Sequence, residues 1–375
     1  MNQELIYAEL EAMLAPAAGG VHVVSTGLAE TRALQRRIYG AARDEDVVPA
    51  WRAALRRVPE ARVVVLGVPS DTGAGFTRGA NRAPAILRAT LLDEPAHPIH
   101  DRAVVDIGDV RVVPHFLSDE MLSEAQIQAA RWALYGAGRH AGLPVSPLDM
   151  CERALGHVRE LNPDIVPVVI GGEPSVGWPA FSACLAHAER VRGRRLGLLH
   201  FDAHTDLLAE RLGVRYCFAT WAYHANELLG RDGRLVQVGI RASGRDRAHW
   251  ESTLNVRQYW PDELGARPVD AIAGEIIDRF RGLGVDAVYV SNDIDGTDMA
   301  WAAATGTPEP GGPTPEVIRA ITHAVTAAFP MLGGDLVEVA PPLAGDLPGE
   351  PARTLATARA YLADLIAAGL RAGAG

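Results

Sequence analysis

Between residues 62 and 340 the chain repeats one pattern: a short apolar run, mostly β-branched, then glycine, aspartate or proline, then a stretch of helical periodicity. The runs are Val63–Val68, Ala103–Ile107, Ile165–Ile170, Leu196–Phe201, Leu235–Ile240, Ala287–Val290 and Leu336–Val339. They are apolar continuously rather than alternately, as strands buried on both faces of a parallel sheet must be. Helical stretches lie between them, among them Ser175–Val191, Asp270–Arg281, Thr314–Phe329 and Ala352–Leu370. Strand, crossover helix and strand in succession imply a wound α/β sheet. In such sheets ligands bind beyond the carboxyl ends of the strands. Residues 1–60 read differently: they are rich in alanine and arginine, with helical periodicity at Glu4–Leu14 and Glu30–Arg43 broken by Pro16–Gly20. The expected organisation is a helical extension over 1–60, a candidate oligomer contact, followed by one α/β domain over 61–375.

Charge and composition remove several classes of function. A formal net charge of −10 is the wrong sign for nucleic acid or an anionic membrane surface, so neither is an expected partner. No apolar stretch approaches the ~18 residues needed to span a bilayer, and the start, Met1-Asn2-Gln3-Glu4, is acidic where a secretory leader is basic. The cytoplasm is therefore the expected compartment. All 36 basic residues are arginine, which excludes a Schiff-base lysine and a P-loop lysine. Cys151, Cys184 and Cys217 form no C-x-x-C pair, which argues against a disulfide framework or a thiolate zinc site.

The polar residues with chemical potential follow the apolar runs. Leu196–Phe201 leads directly into Asp202-Ala203-His204-Thr205-Asp206. In extended backbone residues i, i+2 and i+4 share a face, so Asp202, His204 and Asp206 converge at a strand tip, a donor set suited to a divalent metal. The competing reading is a polar loop whose aspartates cap the next helix. A second strand end weakens it: Ala287–Val290 leads into Ser291-Asn292-Asp293-Ile294-Asp295, with both aspartates on one face. Two buried carboxylates repel unless a cation or proton lies between them. Ligands from two strand ends suffice for two metals about 3.5–4 Å apart, which would bring the pKa of a shared water toward ~7.

The segments Asp202–Asp206 (DAHTD), Ser291–Asp298 (SNDIDGTD), Gly306–Gly312 (GTPEPGG) and Glu338-Val339, taken in order, resemble the motifs of the arginase/agmatinase (ureohydrolase) family. Gly67–Arg82 resembles that family's first strand and loop, and Asp106–Asp109 (DIGD) its second. The resemblance implies a three-layer α/β/α fold with a mainly parallel eight-stranded sheet, a trimer or hexamer, and a dinuclear Mn²⁺ site, Ni²⁺ or another divalent metal being the alternative. It implies hydrolysis of a guanidino or related amidine C–N bond to urea and an amine. By the same resemblance Asp202 and Asp293 bridge the metals, His204 and Asp295 complete one site, Asp206 belongs to the other, Asp295 relays a proton and Glu338 holds the guanidinium. Arginase proper is disfavoured, because Leu207–Gly213 (LLAERLG) lacks the polar loop that grips an α-amino acid head. Glu210 is a candidate to read an amine, and Arg211 or Arg215 a carboxylate.

Two departures stand out. Where the family has Gly-Gly-Asp-His-Ser, with the histidine a metal ligand, this chain has Gly171-Gly172-Glu173-Pro174-Ser175. Proline cannot ligate, and Glu173 occupies the neighbouring position. The family's loop histidine also has no counterpart in Arg215–Trp221, and His224 lies beyond it in a helical stretch. A catalytically impaired relative keeping one metal, with a binding, regulatory or assembly role, is the alternative function. Minor candidates are Arg78 at a subunit contact, His115 as an extra ligand, a helix starting at Ser118 over the site mouth, and Cys217 as a buried thiol.

Overall fold

The computed structural model describes residues 2–21, 26–75, 77–136 and 142–372. The apolar runs form the inner strands of one sheet. Its strands are β1 (Leu14–Ala15), β2 (Val63–Val68), β3 (Val104–Val110), β4 (Val166–Gly171), β5 (Leu196–Phe201), β6 (Leu235–Val238), β7 (Arg257–Tyr259), β8 (Ala287–Asp293) and β9 (Met331–Val337). Their order across the sheet is β1-β3-β2-β4-β9-β8-β5-β6-β7. Every pairing among β2–β9 is parallel, and β1 alone runs antiparallel, against β3. Eight parallel strands with helices on both faces make the expected three-layer α/β/α arrangement, and the short β1 is a ninth strand.

Every residue of β2, β4, β5 and β8 is buried. One hydrophobic core lies on each face. Ile6, Leu10, Trp51, Leu155, Phe181 and Trp221 belong to the first, and Leu87, Phe201, Phe280, Ile318 and Leu362 to the second. The N-terminal segment is built into the first of these: helix Gln3–Met13 buries Ile6, Tyr7, Leu10 and Met13, and the next two residues are β1.

The structure departs from the expected boundaries at identifiable places. β9 begins at Met331 rather than Leu336, because Gly333-Gly334 interrupts the apolar pattern without interrupting the strand. Those glycines are set by contact, since a Cβ at Gly334 would lie 2.8 Å from the Val290 carbonyl oxygen and one at Gly333 3.0 Å from the Tyr289 ring. The three-residue β7 was too short and too polar to register. Ser118 caps only the 3-10 turn Asp119–Met121; the helix proper is Glu124–Tyr135, closed by a capping box between Ser123 and Gln126.

The DIGD segment is structural. The Arg88 guanidinium, fully buried on helix Ala83–Leu92, pairs with Asp106 at 2.6 Å and Asp109 at 2.5 Å. Removing one partner of a buried pair strands the other charge, so Arg88→Ala should lower stability by about 3–5 kcal/mol, read as the shift in urea midpoint at constant m-value.

Candidate metal centre

Four adjacent strands, β4, β9, β8 and β5, deliver polar residues to one end of the sheet. In the parallel register Phe201 lies opposite Asn292, and Asp293 opposite Val337. Asp202, Asp293 and Glu338 therefore come level at the strand tips. They line a cavity of about 170 Å³ together with His204, Asp206, Asp295, Pro174, Arg211, Phe218, Gly306 and Thr307. Glu210, Arg215 and His115 are exposed and outside this lining, and Ser118 and His224 are buried but also outside it. Cys217 is a buried thiol.

Two triads place their ligand atoms within 4.8 Å of one another: Asp202, His204 and Asp295 in the cavity, and Asp202 and Asp206 with His200, which lies beneath it in the sheet. His204 Nδ1 is 3.1 Å from Asp295 Oδ2 and 3.5 Å from Asp202 Oδ1. Asp295 Oδ2 also accepts from Thr307 Oγ1 at 3.0 Å. Asp293 belongs to neither triad; its Oδ1 accepts from the Asp295 backbone N–H at 3.0 Å, which leaves its other oxygen to the cavity. Two of the carboxylates sit on left-handed backbone, Asp206 at φ 52° and Glu338 at φ 63°. Such positions cost of order 1–3 kcal/mol for a side-chain-bearing residue and persist only where the surroundings enforce them. Hydrogen bonds from Glu338 N to the Gly172 carbonyl and from Tyr223 N to the Asp206 carbonyl do so here. Gly306 makes room for Glu338: a Cβ there would stand 2.4 Å from Oε1.

The electrostatics show what the cluster lacks. Burial, reinforced by neighbouring Asp202, pushes the Asp206 carboxyl well above its ordinary range, and burial with Asp295 and Asp202 does the same to Asp293. Glu338 is raised by burial and by Glu173 and Asp295. Burial alone would lower the His204 imidazole, but hydrogen bonds and charge from Asp202 and Asp295 raise it to about 12. Burial likewise opposes the ionised form of Asp202, yet His200 and His204 hold it well below the carboxylate range. Buried oxygens of Asp206 and Glu338 have no hydrogen-bond partner, and Asp202 Oδ2 has only His200 Nε2 beside it, at 3.1 Å. A set of buried anions with orphaned oxygens facing one cavity fits a divalent cation.

Pro174 lines the cavity, whereas Glu173 turns away from it, its carboxylate accepting from the Ser175 backbone N–H at 2.9 Å and from the Ser175 hydroxyl. Two groups at the site carry no mark in the sequence pattern. His200 looked like an interior strand residue, although it precedes Asp202 by two and so shares its face. Arg241 spans the loop after β8, donating to the carbonyls of Gly239, Asp295, Gly296, Thr297, Glu309 and Pro310. An arginine bonded only to carbonyls has no signature in the chain.

A parallel sheet between helix layers, with a carboxylate-rich cavity at the carboxyl ends of its central strands, is the architecture of an α/β protein with a candidate metal centre. The chain belongs to the arginase family, whose sequence profile matches residues 61–366. It is 30% identical over 292 residues to a guanidinobutyrase of Pseudomonas aeruginosa, covering 74% of this chain and 78% of that one. It is 33% identical over 285 residues to an N(1)-aminopropylagmatine ureohydrolase of Thermus thermophilus, covering 75% and 84%. A solved proclavaminate amidino hydrolase from Streptomyces clavuligerus matches with a TM-score of 0.64 at 27% identity, over 83% of this chain and 92% of that one.

Burial pushes the Glu173 carboxyl up to about 7, against the lowering effect of its bonds from Ser175. An acid whose folded value exceeds its unfolded one stabilises the fold less as pH rises between the two. Glu173→Gln, measured with chelator present, should therefore gain on the parent between pH 5 and pH 8, by at most ~3 kcal/mol. A melting-temperature difference that does not change with pH would contradict this.

Proposed function

We propose that the chain hydrolyses the guanidino C–N bond of a linear ω-guanidino carboxylic acid, releasing urea and an amine. Family membership carries the reaction type. The observation that supports the site is the small cavity in which five carboxylates face one imidazole, His204. A divalent cation held by these residues, Mn²⁺ on this reading with Ni²⁺ as the alternative, would supply a water of lowered pKa as nucleophile. Asp202, Asp293, His204 and Asp295 would hold one ion, and Asp206 with Asp202 and Asp293 would hold the other. Glu338, with its buried Oε2 unpaired, takes the guanidinium. Asp295, fixed by Thr307, takes up the proton.

Arg211 supports the carboxylic acid end of the substrate. It is the permanent cation of the lining, sits 5.1 Å over the Phe218 ring, and has no ion pair among the described residues. The Glu210 carboxylate, the candidate for reading an amine, faces elsewhere. No helix among the described residues is long and apolar enough to cross a membrane; a cytoplasmic homo-oligomer of three or six chains is part of the same proposal.

Pro174 favours a qualified version of this reading. The ion on Asp206 has carboxylates alone among its assigned donors, so it should be the weaker, and a chain carrying one tight metal is the alternative. Losing a partner even outside the ligand shell costs roughly 10–100-fold in affinity. Metal analysis of the purified chain should find one tightly held equivalent, and the double variant Glu173→Asp, Pro174→His should hold two and release urea faster. A parent with two tight metals and full turnover would show that Pro174 is no handicap. Asp293→Ala should lose metal and urea release together. Arg211→Ala should raise KM for guanidinobutyrate at least ~10-fold, the worth of one charge-assisted contact, while leaving agmatine unaffected. An equal loss on both substrates would remove Arg211 from substrate selection.

A further inference from the structure

One register row of the sheet, a level below the metal-facing carboxylates, is polar across five adjacent strands. Gln258 on β7, Gln237 on β6, His200 on β5, Ser291 on β8 and Asp335 on β9 are successive partners. All five are 0% exposed. A row of polar groups in the centre of a parallel sheet is costly unless each is satisfied in a defined orientation.

The hydrogen bonds on one side of His200 run in one direction only. The Trp260 indole Nε1–H, which can only donate, meets Gln258 Oε1 at 3.0 Å. Gln258 Nε2 donates to Gln237 Oε1 at 2.9 Å. Gln237 Nε2 donates to the Thr205 carbonyl at 2.7 Å, a group that can only accept, and to His200 Nδ1 at 3.0 Å. With a pure donor at one end and a pure acceptor at the other, neither amide can be turned over. His200 Nδ1 is therefore an acceptor without a proton, and the ring N–H is on Nε2. That atom stands 3.1 Å from Asp202 Oδ2, in a bent contact, and neither has another partner. The Trp221 ring, edge-on at 4.8 Å between centroids, closes the imidazole in.

We infer that His200 is a positioning residue for the metal centre: held as its Nε2–H tautomer by the Trp260–Gln258–Gln237 chain, it donates to Asp202 Oδ2 and sets how that carboxylate meets the metal. The placement of His200 with Asp202 and Asp206 invites a different assignment, that it replaces the imidazole lost at Pro174 as a ligand. The tautomer opposes that assignment, because a ring nitrogen that carries its proton has no lone pair for a metal, and moving the proton to Nδ1 would set it against the Gln237 amide. Outer partners of this kind orient ligating groups and tune their affinity.

This inference rests on the proposed metal site, and the test keeps the two apart. The full chain, labelled with ¹⁵N-histidine, is compared by long-range ¹H–¹⁵N NMR after chelation and after loading with Zn²⁺, with His200→Gln identifying the signal. A proton on Nε2 in both states is expected. A proton on Nδ1, or loss of the Nε2 proton on loading, overturns the inference. Mn²⁺ affinity is then measured by calorimetry for the parent, His200→Phe and His200→Gln. The phenylalanine variant should bind roughly 10–100-fold more weakly, and glutamine, whose amide supplies an N–H at a similar reach, should recover most of that loss. Equal losses in both variants would make His200 a ligand, and no loss in either would leave it a packing residue; both results overturn the inference. A parent that binds no divalent metal defeats the metal site itself, and the chelated NMR spectrum still decides the tautomer.

Discussion

Repulsion among buried carboxylates is the constraint around which this end of the molecule is organised. Asp202, Asp206, Asp293 and Glu338 are all nearly excluded from solvent and open on one small cavity. Water cannot screen them there, so each raises the cost of ionising the next. In the metal-free chain a protonated His204 between Asp202 and Asp295 serves as a local countercharge, which is why its imidazole is held up to about 12. The surrounding structure resists the repulsion mechanically. Left-handed backbone aims Asp206 and Glu338 inward, and Arg241 ties six carbonyls of the neighbouring loops into one rigid cup. None of these features stabilises the fold for its own sake; each holds charges where they would not settle unaided.

Much of this was legible in the chain because burial on both faces leaves so plain a mark. Val63–Val68 and Leu196–Phe201 coincide with β2 and β5 to the residue. The paired aspartates could be placed at strand tips because a strand's periodicity of two fixes which residues share a face. What failed to show has a common physical cause: it depends on partners distant in sequence. Gly333-Gly334 reads as a break until Tyr289 and Val290 are seen pressed against it. His200 reads as core until Gln237 and Gln258 lie beside it. Arg211 and Glu210 are neighbours, and only the turn closed by the Arg211–Val214 bridge decides which faces the cavity. The DIGD segment read as a family landmark, while its two aspartates prove to be the counterions of Arg88.

The polar groups divide by task. Ion pairs such as Arg88 with Asp106 and Asp109 are closed, each charge answered by another. Tyr289 and Ser291, donating to Asp335 at 2.6 and 2.8 Å, are likewise closed. Among the buried atoms left without partners, Asp202 Oδ2, Asp206 Oδ2, Asn292 Oδ1 and Glu338 Oε2 lie at or just beyond the carboxyl ends of β5, β8 and β9. At that rim three of the unpartnered atoms are carboxylate oxygens of residues that line the cavity, where a ligand can reach them.

The outer strands of the sheet carry a further consequence. β1 offers two residues beyond β3, and β7 offers three beyond β6. So few free N–H and C=O groups give an incoming strand almost nothing to zip onto. Growth of the sheet from one molecule into the next through β1 or β7 is thereby disfavoured, which leaves helices and loops as surfaces where a contact between copies can be bounded and symmetric.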